Sequence, residues 1–470
     1  MNKPLAGAPR LQLPCGWIEG TQEAGLHIFK GLPYAAAPTG ALRWQAPQAA
    51  PAWTGTRVCD RFGPLAVQAG LAGSHAHSGD FDCLSLNVWC PAEAERPWPV
   101  MVWVPGGGFL RGGAADPLYD GSAMARQGIV FVSINYRIGV DGFMHFDDAQ
   151  PNRGLQDQLA ALRWVQDHIE LFGGDPQRVT VAGVSAGSGA ISHLMGMPAS
   201  AGLFQRVVLQ SPSLQTHDLE DAQRIRHALA GVLGVAPTRA ALADVPLGPL
   251  TQALFSFVGN ESLKQQWGLR PRNYFPVRPV IDGRIVQAAP LAAIQKRLDQ
   301  GTARWPVLLG CNAQEMRFYL VPGGQIERID EASLKRFVQD IDGAEALLAK
   351  YAAQAPEASA GELLCQIQSD YYYRQPANAL AQALRQGGCE TLQYEFAWHS
   401  PLLQGRMGAA HAMEIPFVLG NSASARAQEF IGAQAPAALA QEMHSCWSRF
   451  VRGEPLPEWT RHGQLPRIFE

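Results

Sequence analysis

Residues 178–191 of this chain read RVTVAGVSAGSGAI, and they place one serine where its hydroxyl could attack a carbonyl. The apolar run 179–182 passes directly into Gly183-Val184-Ser185-Ala186-Gly187, and small residues with helical periodicity follow. That order predicts a strand, a sharp turn and a helix with no loop between them, with Ser185 at the turn. A serine alcohol is a weak nucleophile, and a strained turn that lifts it clear of the sheet presents it to a substrate. Gly183 and Gly187, two residues to either side, predict neighbouring backbone passing too close for a side chain.

Acyl transfer through serine further requires a base for the hydroxyl proton, an acid to orient that base, and N–H donors for the oxyanion. Residues 100–104 are an unbroken apolar run ending in Pro105-Gly106-Gly107-Gly108-Phe109. Three glycines after a buried strand suit a backbone that must approach a reacting atom, although the same run would also make a flexible turn. A second apolar run, 305–310, delivers Glu315 just past its end, and His411 lies in Gly408-Ala409-Ala410-His411-Ala412-Met413-Glu414. The chain order Ser185, Glu315, His411 is that of a serine hydrolase on a parallel sheet. Asp282 is the alternative acid, but Gly283 beside it marks a turn.

The elements that must hold these residues alternate. Strands are predicted over 100–104, 129–136, 179–182, 207–210 and 305–310, and a last one over 391–398. Between the second and third, residues 153–171 carry Leu155, Leu159, Leu162, Val165 and Ile169 at helical spacing, stopped by Gly-Gly-Asp at 173–175. The alternation predicts an α/β fold with a mostly parallel central sheet covered by helices on both faces. Active sites in such sheets lie beyond the carboxyl ends of strands, where Ser185 and the glycine loop both fall. Residues 10–100 predict a small antiparallel region with strands at 26–30 and 84–89. Residues 214–300 and 316–390 read as mostly helical segments capping the site. Tyr371, Tyr372 and Tyr373 in the second of these suit core packing. A closing helix is expected over 437–452.

The 470 residues contain no charge run, Gly/Ser spacer or repeat, so residues 1–470 read as a single domain, with 352–361 a surface loop. A formal net charge of -3 with both signs interspersed offers no basic patch for nucleic acid or an anionic membrane. No segment reaches the length of a membrane span, and the first residues lack a secretory pattern, so a cytoplasmic protein is expected. The eight cysteines are scattered without a CxxC pair, and they read as reduced, with no metal site and no cofactor implied. The expected partner is a small molecule; nothing in the residues speaks to oligomeric state.

The GGGF loop at 106–109, GVSAGSG at 183–189, FGGDP at 172–176, GAAHAMEIPFVLG at 408–420 and FKGLPYAAAPTGALRW at 29–44 together resemble the type-B carboxylesterases, the para-nitrobenzyl esterase and cholinesterase family. The resemblance runs from Gly16 to the region of Trp459. It implies an α/β-hydrolase fold and serine esterase activity, with Ser185 as nucleophile, Glu315 as acid and His411 as base. Gly107, Gly108 and Ala186 would supply the oxyanion-hole N–H groups. Five departures stand out. Val184 replaces the glutamate usual before the nucleophile, and Gln314-Glu315-Met316 replaces an Asp-Glu-Gly triplet. The usual disulfide partner of Cys83 is Ala66, so Cys83 is expected free. Phe81 replaces the glutamate that pairs with the arginine of LRW, which leaves Arg43 to find Asp80 or Asp82. The loop 66–83 also lacks the tryptophan that faces the cation in choline-selective relatives.

These readings favour hydrolysis of neutral carboxylic esters through an acyl-enzyme on Ser185. An acyltransferase or amidase would use the same acyl-enzyme, and a catalytically silent binding protein would use the same fold. The glycines do not fit a nucleotide site, because no GxGxxG or GxxxxGK[ST] opens a helix after a strand.

Overall fold

Residues 100–104 are apolar throughout because their strand, Trp98–Val104, is covered on both faces. Val100, Val102 and Val104 enter one core cluster. Met101 and Trp103 enter the other. The same alternation divides Val207 and Leu209 from Val208, and Val307 and Leu309 from Leu308. A strand buried on both sides has no polar face to show, hence the continuous run. The computed structural model describes residues 8–70, 77–92, 97–269, 274–339, 341, 343–460 and 465–470.

Among the described residues the main sheet has ten strands. Seven of them run parallel, in the spatial order Val130–Ile134, Trp98–Val104, Gly174–Val184, Arg206–Gln210, Val307–Asn312, Thr391–Phe396 and Arg467–Phe469. Ser85–Pro91, Leu26–Pro33 and Thr21–Glu23 continue it antiparallel beyond Val130–Ile134. The early antiparallel strands continue the central sheet, because Ser85–Pro91 is buried along most of its length against Val130–Ile134. A three-stranded sheet of Arg10–Leu13, Gly16–Glu19 and Thr56–Val58 stands apart from it. The expected last strand, Thr391–Phe396, is followed by one more, Arg467–Phe469, too short to carry a periodic signal.

Helices Arg153–His168 and Ala186–Gly196 cover one face through Leu155, Leu162, Ile191 and Leu194. Helix Ala437–Arg452 covers the other through Met443, Trp447 and Phe450. Gly173, at φ 80°, ends the first of these helical stretches after a 3-10 turn, Ile169–Phe172. Residues 214–300 hold helices Leu219–Leu233, Arg239–Ala243, Leu247–Phe255, Glu261–Gln266 and Pro290–Asp299. Among the described residues no helix is long and apolar enough to cross a membrane.

Two local expectations are settled here. Arg43 does not turn to Asp80 or Asp82: its Nε donates to Asp141 Oδ1 at 2.7 Å. The guanidinium also lies 4.7 Å from the Phe81 ring centre and 4.5 Å from that of Trp44, so aromatic faces share the charge with Asp141. Cys83 is free and buried, as are Cys59 and Cys311, and burial raises the Cys83 thiol pKa. Part of the 66–83 loop, residues 71–76, lies outside the described residues.

Candidate active site

The parallel strands end at one level, with Gly183 opposite Val104 and Val184 opposite Gln210. Gln210 in turn stands opposite Gly310. Ser185 follows its strand at once, with φ 57° and ψ −124°, and begins helix Ala186–Gly196. A non-glycine residue reaches this left-handed region only under constraint. Here the Ser185 N–H donates to Gln210 O at 2.8 Å, and Ser185 O accepts from Gly189 N at 2.8 Å. The flanking glycines leave no room for anything larger. A Cβ on Gly187 would stand 2.1 Å from Val104 O, and one on Gly183 would stand 2.8 Å from the same atom.

The glycine loop packs against this turn. A Cβ on Gly106 would fall 3.0 Å from Ser185 Cβ. Gly107 and Gly108 have φ of 122° and 64°, a conformation that glycine adopts without strain. Gly108 and Ala186 border a cleft that also contains Ser185. Phe275, Tyr372 and Tyr373 form part of its apolar wall.

Glu315 and His411 meet behind it. Glu315 is fully buried; its Oε2 lies 2.5 Å from His411 Nδ1. Its Oε1 accepts from Ser211 Oγ at 2.6 Å and from Asn312 N at 2.7 Å. The carboxylate is thus fixed on three sides. His411 N donates to Glu315 O at 3.2 Å, which ties the histidine loop to the acid's own backbone. Gln314 clamps the same loop: its Oε1 accepts from Ala409 N at 3.1 Å, and its N–H donates to Ala409 O at 3.0 Å. His411 Nε2 has no hydrogen-bond partner among the described residues, while the Tyr319 hydroxyl lies 3.3 Å from that of Tyr373. Tyr373 and Tyr319 wall the imidazole, with ring centres 4.7 and 5.5 Å away.

The six residues singled out in the sequence therefore fall into two clusters at one end of the sheet, Ser185 with Gly107, Gly108 and Ala186, and Glu315 with His411. Asp282 does not join them. Its carboxylate accepts from the backbone N–H groups of Arg284, Ile285 and Val286, the turn its neighbour Gly283 implied. Tyr372 and Tyr373 are buried, but packing alone does not describe them, because they line the cleft from a turn of π-helix, Asp370–Arg374.

Sequence reasoning passed over Ser211, Glu414 and Tyr319. Ser211 was discoverable as a polar residue directly after the buried strand Arg206–Gln210. Glu414 is buried three residues after His411; it accepts from Gln210 Nε2 and from Asn312 Nδ2, both at 2.8 Å. Burial first, and the nearby Glu315 second, raise its pKa. Among the described residues no three His, Cys, Asp or Glu side chains converge as a metal site would require.

Comparison with known proteins places this geometry among related chains. The family model described as "Carboxylesterase family" matches residues 7–465. The phenmedipham hydrolase of Pseudarthrobacter oxydans is 32% identical, over 97% of this chain and 92% of that protein. The para-nitrobenzyl esterase of Bacillus subtilis (strain 168) is 33% identical, over 86% of this chain and 82% of its own. Among solved structures, a Geobacillus stearothermophilus carboxylesterase at pH 6.2 superposes with a TM-score of 0.81 at 30% identity, covering 98% of this chain and 93% of that one.

Proposed function

The chain belongs to the carboxylesterase family, and from that premise we propose that Ser185 carries the acyl group of the carboxylic ester it hydrolyses. His411 Nε2 takes the hydroxyl proton as Ser185 Oγ attacks the carbonyl, then returns it to the departing alcohol. Glu315 holds the imidazole in the tautomer that leaves Nε2 free to accept, and stabilises the imidazolium. The N–H groups of Gly107, Gly108 and Ala186 receive the oxyanion. Water, activated by His411 in turn, releases the acid and restores the serine.

The observation that carries this reading is the buried Glu315–His411 hydrogen bond, with His411 Nε2 left without a partner among the described residues, at the carboxyl ends of strands where Ser185 begins its helix. An aryl or alkyl fluorophosphonate tests it: label recovered on the peptide containing Ser185, and lost in Ser185→Ala, supports the assignment. Label on another residue, or undiminished labelling of Ser185→Ala, overturns it. We further propose one α/β-hydrolase domain over residues 1–470, with residues 214–300 and 316–390 capping the cleft. The first cap contributes Phe275 and the second Tyr372 and Tyr373. A cytoplasmic location is our reading as well, supported by the free and buried thiols of Cys59, Cys83 and Cys311. Cell fractionation with an antibody to the protein tests it.

A further inference from the structure

Arg278 is a buried cation facing the cleft that contains Ser185. Two other buried arginines, Arg153 and Arg137, are each held by four side-chain hydrogen bonds. Arg153 donates to the carbonyls of Asp141, Gln150, Val140 and Met144. Arg137 is gripped by both oxygens of Asp157 and by two carbonyls. Among the described residues Arg278 makes two bonds: Nη1 donates to Gln215 Oε1 at 2.5 Å and Nη2 to Phe275 O at 3.0 Å. A guanidinium has five N–H donors, and burying a charge that is incompletely hydrogen-bonded is costly. Asp221 attracts it only at a distance, and among the described residues no Asp or Glu lines the cleft. Burial pushes the Arg278 pKa down to about 10, which still leaves it charged at neutral pH. Ser213 and Gln215 line the same cleft and bring a hydroxyl and an amide that can donate to an anion.

We propose that Arg278, with Gln215 and Ser213, forms a carboxylate-binding subsite of the acyl pocket, so that beyond simple neutral esters the enzyme favours half-esters of dicarboxylic acids. The acyl side follows from the chemistry of the lining. The departing alcohol must sit at His411 to receive its proton, whereas this cleft is bordered by Ser185, Gly108 and Ala186 and not by His411. An acyl chain attached at Ser185, with its carbonyl oxygen toward those backbone N–H groups, would extend into the cleft that Arg278 also lines. A carboxylate at its far end supplies the missing counter-charge in the bidentate form that guanidinium favours. Hydrolysis then releases the dicarboxylate and the alcohol.

The inference rests on the acyl-enzyme reading above, and the following assay separates the two. Hydrolysis of the monoethyl esters of succinic, glutaric and adipic acid is followed in a pH-stat beside ethyl butanoate, pentanoate and hexanoate. At the chain length that spans Ser185 to Arg278, wild-type kcat/KM for the half-ester is expected to exceed that of its neutral counterpart by roughly 10- to 100-fold, the size of a charge-assisted hydrogen bond. Arg278→Met is expected to abolish that ratio, and Arg278→Lys to recover part of it through KM. Half-esters that are never preferred by the wild-type enzyme overturn the subsite, while turnover of the neutral esters leaves the esterase reading standing. If Arg278→Met does not fold, the wild-type ratios and the lysine variant still decide. A preference for 3-acetoxypropanoate over propyl acetate, in place of the half-ester preference, overturns the acyl placement.

Discussion

Glu315 Oε2 lies 2.5 Å from His411 Nδ1, in a site where both side chains are buried and the second carboxylate oxygen is already held by Ser211 and Asn312. So constrained an acid cannot drift away from its histidine, and the pair should act as one unit with the serine. Ser185→Ala and His411→Ala are each expected to lower kcat by about 10^4- to 10^6-fold, with the double variant little worse than either. Losses that multiply, measured on a common ester, would remove the triad assignment. Glu315→Gln should keep the fold but lose several powers of ten, because its amide cannot stabilise the imidazolium.

Ser211 tests the same relationship from the other side of the carboxylate. Ser211→Ala deletes the 2.6 Å bond to Glu315 Oε1 but leaves the Asn312 N–H in place. One buried charged hydrogen bond is worth about 1.5–3 kcal/mol, so kcat/KM should fall by roughly 10- to 100-fold. The loss should appear in kcat, since Ser211 does not line the cleft. Wild-type kcat for this variant would show that the Asn312 N–H and His411 suffice.

What the sequence disclosed and what it hid follow from range. The strand, turn and helix around Ser185 are contiguous, so one stretch of residues carries the whole signal, including the two glycines that clear Val104 O. Glu315 and His411 were visible as residues after strands, in an order that a parallel sheet permits. Arg43 went wrong for the opposite reason. Its carboxylate partner, Asp141, is 98 positions away, on a five-residue helix with no periodic pattern to announce it. The tyrosines at 371–373 were half read: their burial follows from composition, while the turn that aims two of them at the cleft is set by tertiary packing.

Gly108 carries a steric constraint that composition alone does not reveal. A Cβ there would stand 2.4 Å from the Phe275 ring, and its φ of 64° is strained for any β-branched residue. Gly108→Val is therefore expected to displace both the loop and Phe275, and to cost about 10^2- to 10^3-fold in kcat through misplaced oxyanion donors. Single-turnover acylation read against substrate binding distinguishes this from a blocked cleft. Unchanged acylation would place the oxyanion donors elsewhere.

Choline esters should gain nothing from their charge. Val184, directly before the nucleophile, is a buried apolar side chain, and the Phe81 face is already occupied by Arg43. Arg278 adds a positive charge to the cleft. The kcat/KM for butyrylcholine is expected to equal or fall below that for 3,3-dimethylbutyl butyrate, which has its shape without the charge. A tenfold choline preference would require a cation site that none of these residues provides.

Glu414 sets a pH dependence of stability whose sign is the reverse of the usual surface carboxylate. Burial, reinforced by Glu315, raises its pKa in the fold, so the native state holds this proton more tightly than the unfolded chain does. By linkage the group's contribution is most favourable below the ordinary carboxylate pKa, and declines as pH rises through the raised value. Glu414→Gln makes the uncharged state permanent. The new amide can keep both contacts: its oxygen accepts from Asn312 Nδ2, and its NH2 donates to Gln210 once that side chain turns its own oxygen inward. Gln210 Oε1 has no partner among the described residues, so the rotation breaks no bond there. The variant is therefore expected to melt with the wild type near pH 4 and above it at pH 8, with the gap opening as pH rises. A gap that closes toward pH 8 would mean that Glu414 is stabilised in its charged form by Gln210 and Asn312, against the burial that surrounds it.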